Sequence, residues 1–231
     1  MNNAKLIDQF FDLVAEAQQD SSALARPFHT RVIQLSLLDA LSHVAHPNIR
    51  QNRQRFVALI DEYAQWELSS TYSLRQLALR LADVSIPAQY PGLHLLAAEV
   101  NARMQQWPQA SQLILASQID PSATDLKALL NAQLAELIEP VRYTNLLWRV
   151  RNFAVHELRD PGWGSDFQLG QPSPYYHTLI HVDGLTTTWE LYFPNELLAD
   201  LISRSSGNLK ARLLRDDIDP WSAFPYNPKW Y

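Results

Sequence analysis

Over the first 160 residues, apolar positions return with the period of a helix, segment after segment. Leu6, Phe10, Leu13, Val14 and Ala17 predict an amphipathic first helix. After Pro27, the stretch FHTRVIQLSLLDALSHVAH carries Val32, Ile33, Leu35, Leu37, Leu38, Leu41, Val44 and Ala45 on several sides, which predicts a central, buried helix. NRQRFVALIDEYAQW places Phe56, Leu59, Ile60 and Tyr63 on one stripe. SLRQLALRLADV opens with Ser73 and has Gln76 three residues on, a capping-box pattern. LHLLAAEVNARMQQW predicts a further helix ending near Pro108. DPSATDLKALLNAQLAELI, with Leu126, Leu130, Leu134 and Leu137 or Ile138, predicts another that stops or bends at Pro140.

Past Pro161 the period shortens. PYYHTLIHV and LTTTWELYF are rich in aromatic and β-branched residues and flank Asp183-Gly184, which predicts a β-hairpin. NELLADLISRSS predicts a last helix after Pro194. DIDPWSAFPYNPKWY is too apolar for a free tail and predicts an extended strap laid on the body. With no internal repeat or low-complexity linker, the expectation is a mainly α protein of one domain over residues 1–231. It divides into a helical bundle over 1–160 and a hairpin, helix and aromatic, Pro-rich strap over 161–231.

Composition narrows the function classes. The 231 residues are 47% apolar and 19% charged, a globular balance, and the formal net charge of −5 gives no global attraction to nucleic acid. A local basic patch is still compatible with that sum. The absence of cysteine removes disulfides, thiolate catalysis and Cys-type zinc sites, and suits a reducing compartment. Asp8, Asp12 and Glu16 interrupt the N-terminal apolar stretch, so it reads as a helix and not a signal peptide. No run approaches the ~18 apolar residues of a membrane span. The expectation is a cytoplasmic protein without a membrane partner.

Candidate chemistry concentrates in LLWRVRNFAVHELRDPGWG, residues 146–164. On a regular helix Arg149, Asn152, His156 and Arg159, at i, i+3, i+7 and i+10, share one face. Arg151 lies about 140° from His156 on such a helix, so direct contact between them is not expected there. Arginine binds phosphate in a bidentate fork and stays charged, while histidine exchanges protons near neutrality. RNA carries its own nucleophile, the 2′-hydroxyl, so this pair suffices for cleavage without a metal or cofactor. An Arg followed by His after four to six residues is expected about once by chance in this composition. Fixing the gap at four and requiring Asn after Arg lowers the expectation to roughly 0.02. The plain alternative is a solvated, salt-bridged helix edge using Arg149, Glu157, Arg159 and Asp160.

RNFAVHE on a late helix of a helical bundle resembles the motif of the HEPN superfamily: Arg, a polar residue often Asn, then His after four to six positions. SLLDALSHVA with NIRQNRQRFVALIDEYAQW, and HELRDPGWG with PYYH…TWELYFP, look similar to a group of prokaryotic HEPN-like proteins. The resemblance implies a bundle of four or five helices, a homodimer whose two motifs meet across a cleft, and frequently a metal-independent endoribonuclease with no cofactor. It implies that Arg151 holds the scissile phosphate, His156 assists proton transfer and Asn152 positions either. It also implies a setting in stress or phage defence, with an antitoxin or other regulatory protein as a further partner. Leu158 stands where the toxin branch often has Tyr, and the long C-terminus is absent from small toxins. The rival implication is a HEPN-like module that binds nucleotide, RNA or protein without cutting.

Other candidates fill out the site. Arg50, Arg53 and Arg55 form the densest basic cluster, either an RNA-backbone contact or a solvated helix face. Arg149 and Arg159 would extend it. Trp163, between two glycines, would stack on a base or close the core. Asp39, His43 and His46 have a spacing that could place three metal ligands on one face, without an evident fourth, and a polar helix end is the plainer reading. His177 and His181 lie about 13 Å apart at strand rise, too far to share an ion.

Overall fold

The computed structural model describes residues 2–83, 90–107, 113–161, 170, 172–180 and 187–224. Helix α1 (Asn3–Ser22) is capped by Asn2, whose side chain accepts from the Ala4 N–H. Its buried residues are Ile7, Phe10, Phe11 and Val14, while Leu13 is 53% exposed. The apolar stripe is thus rotated from the expected one, because α1 turns Phe10 and Phe11 towards α2 (Pro27–Ala45) and the C-terminal segment. As its composition predicts, α2 is central. Leu35, Leu38 and Leu41 are fully buried, and the helix packs against α1, α3 (Asn52–Tyr63), α8 (Tyr143–Asn152) and α9 (Asn195–Asp216). Phe56, Leu59, Ile60 and Tyr63 of α3 are all buried.

Between α3 and α8 the chain forms α4 (Leu74–Leu81), α5 (Leu93–Met104), α6 (Ala123–Leu126) and α7 (Ala132–Ile138). Ser73 caps α4 by accepting from the Gln76 N–H at 3.1 Å. The reciprocal box forms instead at Ser122 and Asp125, at the start of α6. The single helix expected over this region is broken in two. Asn131 caps α7 through the Leu134 N–H, and its amide donates to the Pro91 carbonyl, fixing a new helix start before Pro140 is reached.

Strands β2 (Tyr175–Ile180) and β3 (Thr187–Tyr192) pair antiparallel, as the two aromatic and β-branched runs predict, with Tyr175 opposite Tyr192. A two-residue strand β1 (Ile114–Leu115) joins the other edge of β2. It is too short to show a period. Asp183-Gly184, on which the hairpin expectation rested, and His181 lie outside the described residues. Helix α9 continues ten residues beyond the predicted stretch, because Leu209 and Leu213 prolong the buried stripe of Leu201, Ile202 and Ser205. The strap is described as far as Phe224. It forms a single 3₁₀ turn, Pro220–Ala223, in place of extended chain, and sets Trp221 and Phe224 against Phe10. The result is a mainly helical protein with a small three-stranded antiparallel sheet. Among the described residues no helix is long and apolar enough to cross a membrane.

Candidate functional site

Tyr143, Leu147, Val150 and Ala154 recur at i, i+4, i+7 and i+11, and all are buried, so this stripe fixes how α8 lies in the bundle. Its start is held by a buried polar network. Asp120 accepts hydrogen bonds from the Tyr143 and Tyr176 hydroxyls and from the Leu74 N–H, while Ser73 Oγ lies 2.7 Å from Tyr176 Oη. Burial raises the Asp120 carboxyl to about 7, against the opposing pull of these hydrogen bonds. Burial and the neighbouring Asp120 keep both tyrosines protonated, as the donor roles require. Nothing in the spacing of these residues announces the network.

At its far end α8 does not finish as an α-helix. Phe153–Glu157 form a π turn, which closes i→i+5 and brings residues five apart onto one face. The 140° separation of Arg151 and His156 expected on a regular helix is thereby removed. Arg151 Nη1 lies 2.7 Å from His156 Nε2 and donates to Asn152 Oδ1 at 3.2 Å. A guanidinium only donates, so in this contact His156 Nε2 is the acceptor. The π turn ends at Leu158 in the left-handed conformation (φ 53°), with the Leu158 and Arg159 N–H groups both directed at the Phe153 carbonyl.

The next residues are pinned from α2. Arg31, 1% exposed, donates from Nη1 to Asp160 Oδ1 at 2.9 Å, from Nε to Asn195 Oδ1 and from Nη2 to the Tyr192 hydroxyl. It ties the end of the motif to α2, β3 and α9.

Burial divides the pair. Arg151 is 7% exposed and lies over the Trp148 ring at 4.9 Å, whereas His156 is exposed. A buried guanidinium needs compensation, and Asp39 of α2 supplies it. Arg151 Nη2 donates to Asp39 Oδ2 at 2.6 Å. A second arginine–histidine pair stands beside the first. Arg55 Nη2 donates to His43 Nε2 and to Asn52 Oδ1, and Nη1 donates to the Ile49 carbonyl. Burial, and then the Arg55 charge, push His43 below the ordinary imidazole range, which agrees with its acceptor role. Phe224 stacks on the His43 ring at 5.8 Å. Asp39 Oδ1, Arg55 Nε and Arg151 Nε are buried and have no hydrogen-bond partner among the described residues.

The structure therefore redistributes the predicted residues. Asp39, His43 and His46 do not converge: Asp39 serves Arg151, His43 accepts from Arg55, and His46 faces Glu62 at 3.7 Å. Among the described residues no three His, Asp or Glu side chains form a metal-binding group. Of the basic cluster, Arg50 is exposed and Arg55 is buried in the site. Arg53 donates to Asn145 Oδ1 of α8, a structural bond, at 2.8 Å. Arg159 is at the surface, paired with Glu157 and lying over Phe153. Arg149 is exposed. It lines a cavity on the sheet side of α8, while Arg151 points to α2. Trp163 and the glycines beside it lie outside the described residues. No family model, no curated protein and no solved structure matches the chain.

Proposed function

We propose that the chain is a metal-independent endoribonuclease of the HEPN type, acting as a homodimer in which two Arg–Asn–His motifs meet across a groove. The observation that carries this reading is the Arg151–His156 contact created by the π turn. It places a permanent cation and an imidazole side by side, with the imidazole at the surface.

A phosphate arriving at this pair competes for Arg151 Nη1 and releases His156 Nε2. The freed nitrogen takes the proton of the 2′-hydroxyl as the 2′-oxygen attacks phosphorus. The bond from phosphorus to the 5′-oxygen breaks and that oxygen takes up a proton from water, with His156 later returning its proton to solvent. The products are a 2′,3′-cyclic phosphate and a 5′-hydroxyl. Arg151 stabilises the charge that grows on the non-bridging oxygens, and Asn152 holds the guanidinium plane.

The Asp39–Arg151 ion pair favours a second reading from a different class. Because Asp39 already neutralises Arg151, the same groove suits a module that holds nucleotide, RNA or a protein partner without cutting. Cleavage of a structured RNA pool in EDTA separates the two. Wild type is compared with His156→Ala and Arg151→Lys, which keeps the charge and loses the bidentate fork. Cleavage abolished by both substitutions supports the nuclease. RNA binding without cleavage by a confirmed wild-type dimer assigns the binding module.

A further inference from the structure

Two buried guanidiniums, those of Arg55 and Arg151, share the single carboxylate of Asp39. Arg55 is 5% exposed and makes no ion pair among the described residues. Its hydrogen bonds go to the Ile49 carbonyl at 3.1 Å, to Asn52 Oδ1 at 2.9 Å and to His43 Nε2. Asp39, the carboxylate that attracts it, is already bonded to Arg151. Burial lowers the Arg55 pKa against the pull of Asp39, and repulsion by Arg151 lowers it further. A buried cation without a counter-ion of its own is compensated by an anion from outside the chain.

The Arg55 head lies at the start of α3, against Ile49 and Asn52. There Gln51, the N-cap, makes no side-chain cap and the first turn holds no acidic residue. The N–H groups of Asn52, Arg53 and Gln54 have no acceptor among the described residues. Open N–H groups at the positive end of a helix dipole bind anions. Arg50, just before the cap, is exposed and unpaired among the described residues. The partners of Arg151 and Arg55, Asp39 and His43, stand one turn apart on α2, about 6 Å. That is comparable with the spacing of successive phosphates on one strand.

We infer that the start of α3, with Arg50 and Arg55, is a second phosphate subsite, holding the backbone phosphate next to the one at Arg151 and His156. The N–H groups and Arg50 contact its oxygens, while Arg55 supplies the unbalanced charge from beneath. Such a subsite reads the backbone and not the bases, so it fixes register without a sequence preference.

This inference rests on the RNA-directed reading of the site, and its test is independent of cleavage. Calorimetric titration of the full chain compares a 2′-O-methyl dinucleotide, with one phosphate, and the 2′-O-methyl trinucleotide, with two. Neither has a 2′-hydroxyl to attack phosphorus. The trinucleotide is expected to bind about ten-fold more tightly. Arg50→Ala and Gln54→Glu should each cut that gain to about three-fold or less. Gln54→Glu sets a carboxylate in the first turn of α3, which favours the helix, so its thermal midpoint should hold or rise. Gln133→Glu makes the same charge change in the first turn of α7 and should keep the gain. A trinucleotide no tighter than the dinucleotide, a gain that survives both α3 substitutions, or one lost equally in Gln133→Glu overturns the subsite. Inorganic phosphate binding more tightly than the trinucleotide overturns its assignment to a nucleic-acid backbone. Each of these leaves the cleavage assay in EDTA to judge the nuclease. The expected pattern in a chain that does not cut RNA upholds the subsite and removes the nuclease.

Discussion

The Asp39–Arg151 pair offers a quantitative test of how the site is held. The donor and acceptor are 2.6 Å apart, and the side chains are 9% exposed for Arg151 and 18% for Asp39. Charge centres about 4 Å apart attract by about 4 kcal/mol at an effective dielectric of about 20. Loss of hydration by both groups opposes that attraction, leaving a coupling of about 2 kcal/mol. Asp39→Ala alone should cost about 3 kcal/mol, since it strands a buried guanidinium. Arg151→Met keeps an unbranched apolar stem for Trp148 and isolates the loss of charge. In a double-mutant cycle followed by urea unfolding at pH 7, the double variant should be more stable than the sum of the singles by about 2 kcal/mol. Additivity within about 0.5 kcal/mol would refute the claim that Asp39 is the counter-ion of Arg151.

Two further predictions concern the frame around the site. Asp120 holds its proton to about pH 7 in the folded chain, whereas an unfolded aspartate releases it near pH 4. The folded state therefore binds more protons between those values, and this group's contribution falls as pH rises from about 4 to about 7, by about 4 kcal/mol in all. The stability of wild type relative to Asp120→Asn, read from urea unfolding, should therefore fall by about 4 kcal/mol across that range; parallel curves would contradict the buried, protonated carboxyl. Leu158 is 71% exposed and sits at φ 53°. Leu158→Gly should leave stability unchanged or raise it by up to about 1 kcal/mol, because relief of the left-handed strain is offset by a freer unfolded chain. A loss of more than about 1 kcal/mol in thermal unfolding would mean that Leu158 packs against something essential.

The helical character of the chain was legible because α-helical periodicity is local: the stripe of Phe56, Leu59, Ile60 and Tyr63 needs no knowledge of a partner. The same holds for the Ser73 cap and for the two hairpin strands, whose aromatic and β-branched alternation is written over six residues each. The Arg151–Asn152–His156 spacing could also be read directly. Tertiary structure decided which of several apolar stripes faces inward, turning Ile7 and Phe11 into the core and leaving Leu13 outside. It also broke one predicted helix at Asn131, whose amide found a carbonyl 40 residues away. At the site, sequence placed Arg151 and His156 on different faces because it presumed 3.6 residues per turn. The π turn joins them, and the residue pair that clamps the chain just after it, Arg31 and Asp160, stands 129 positions apart in sequence. Asp39 became the counter-ion of Arg151 from 112 positions away, because a buried charge takes the compensation that the fold brings to it, wherever that stands in the chain.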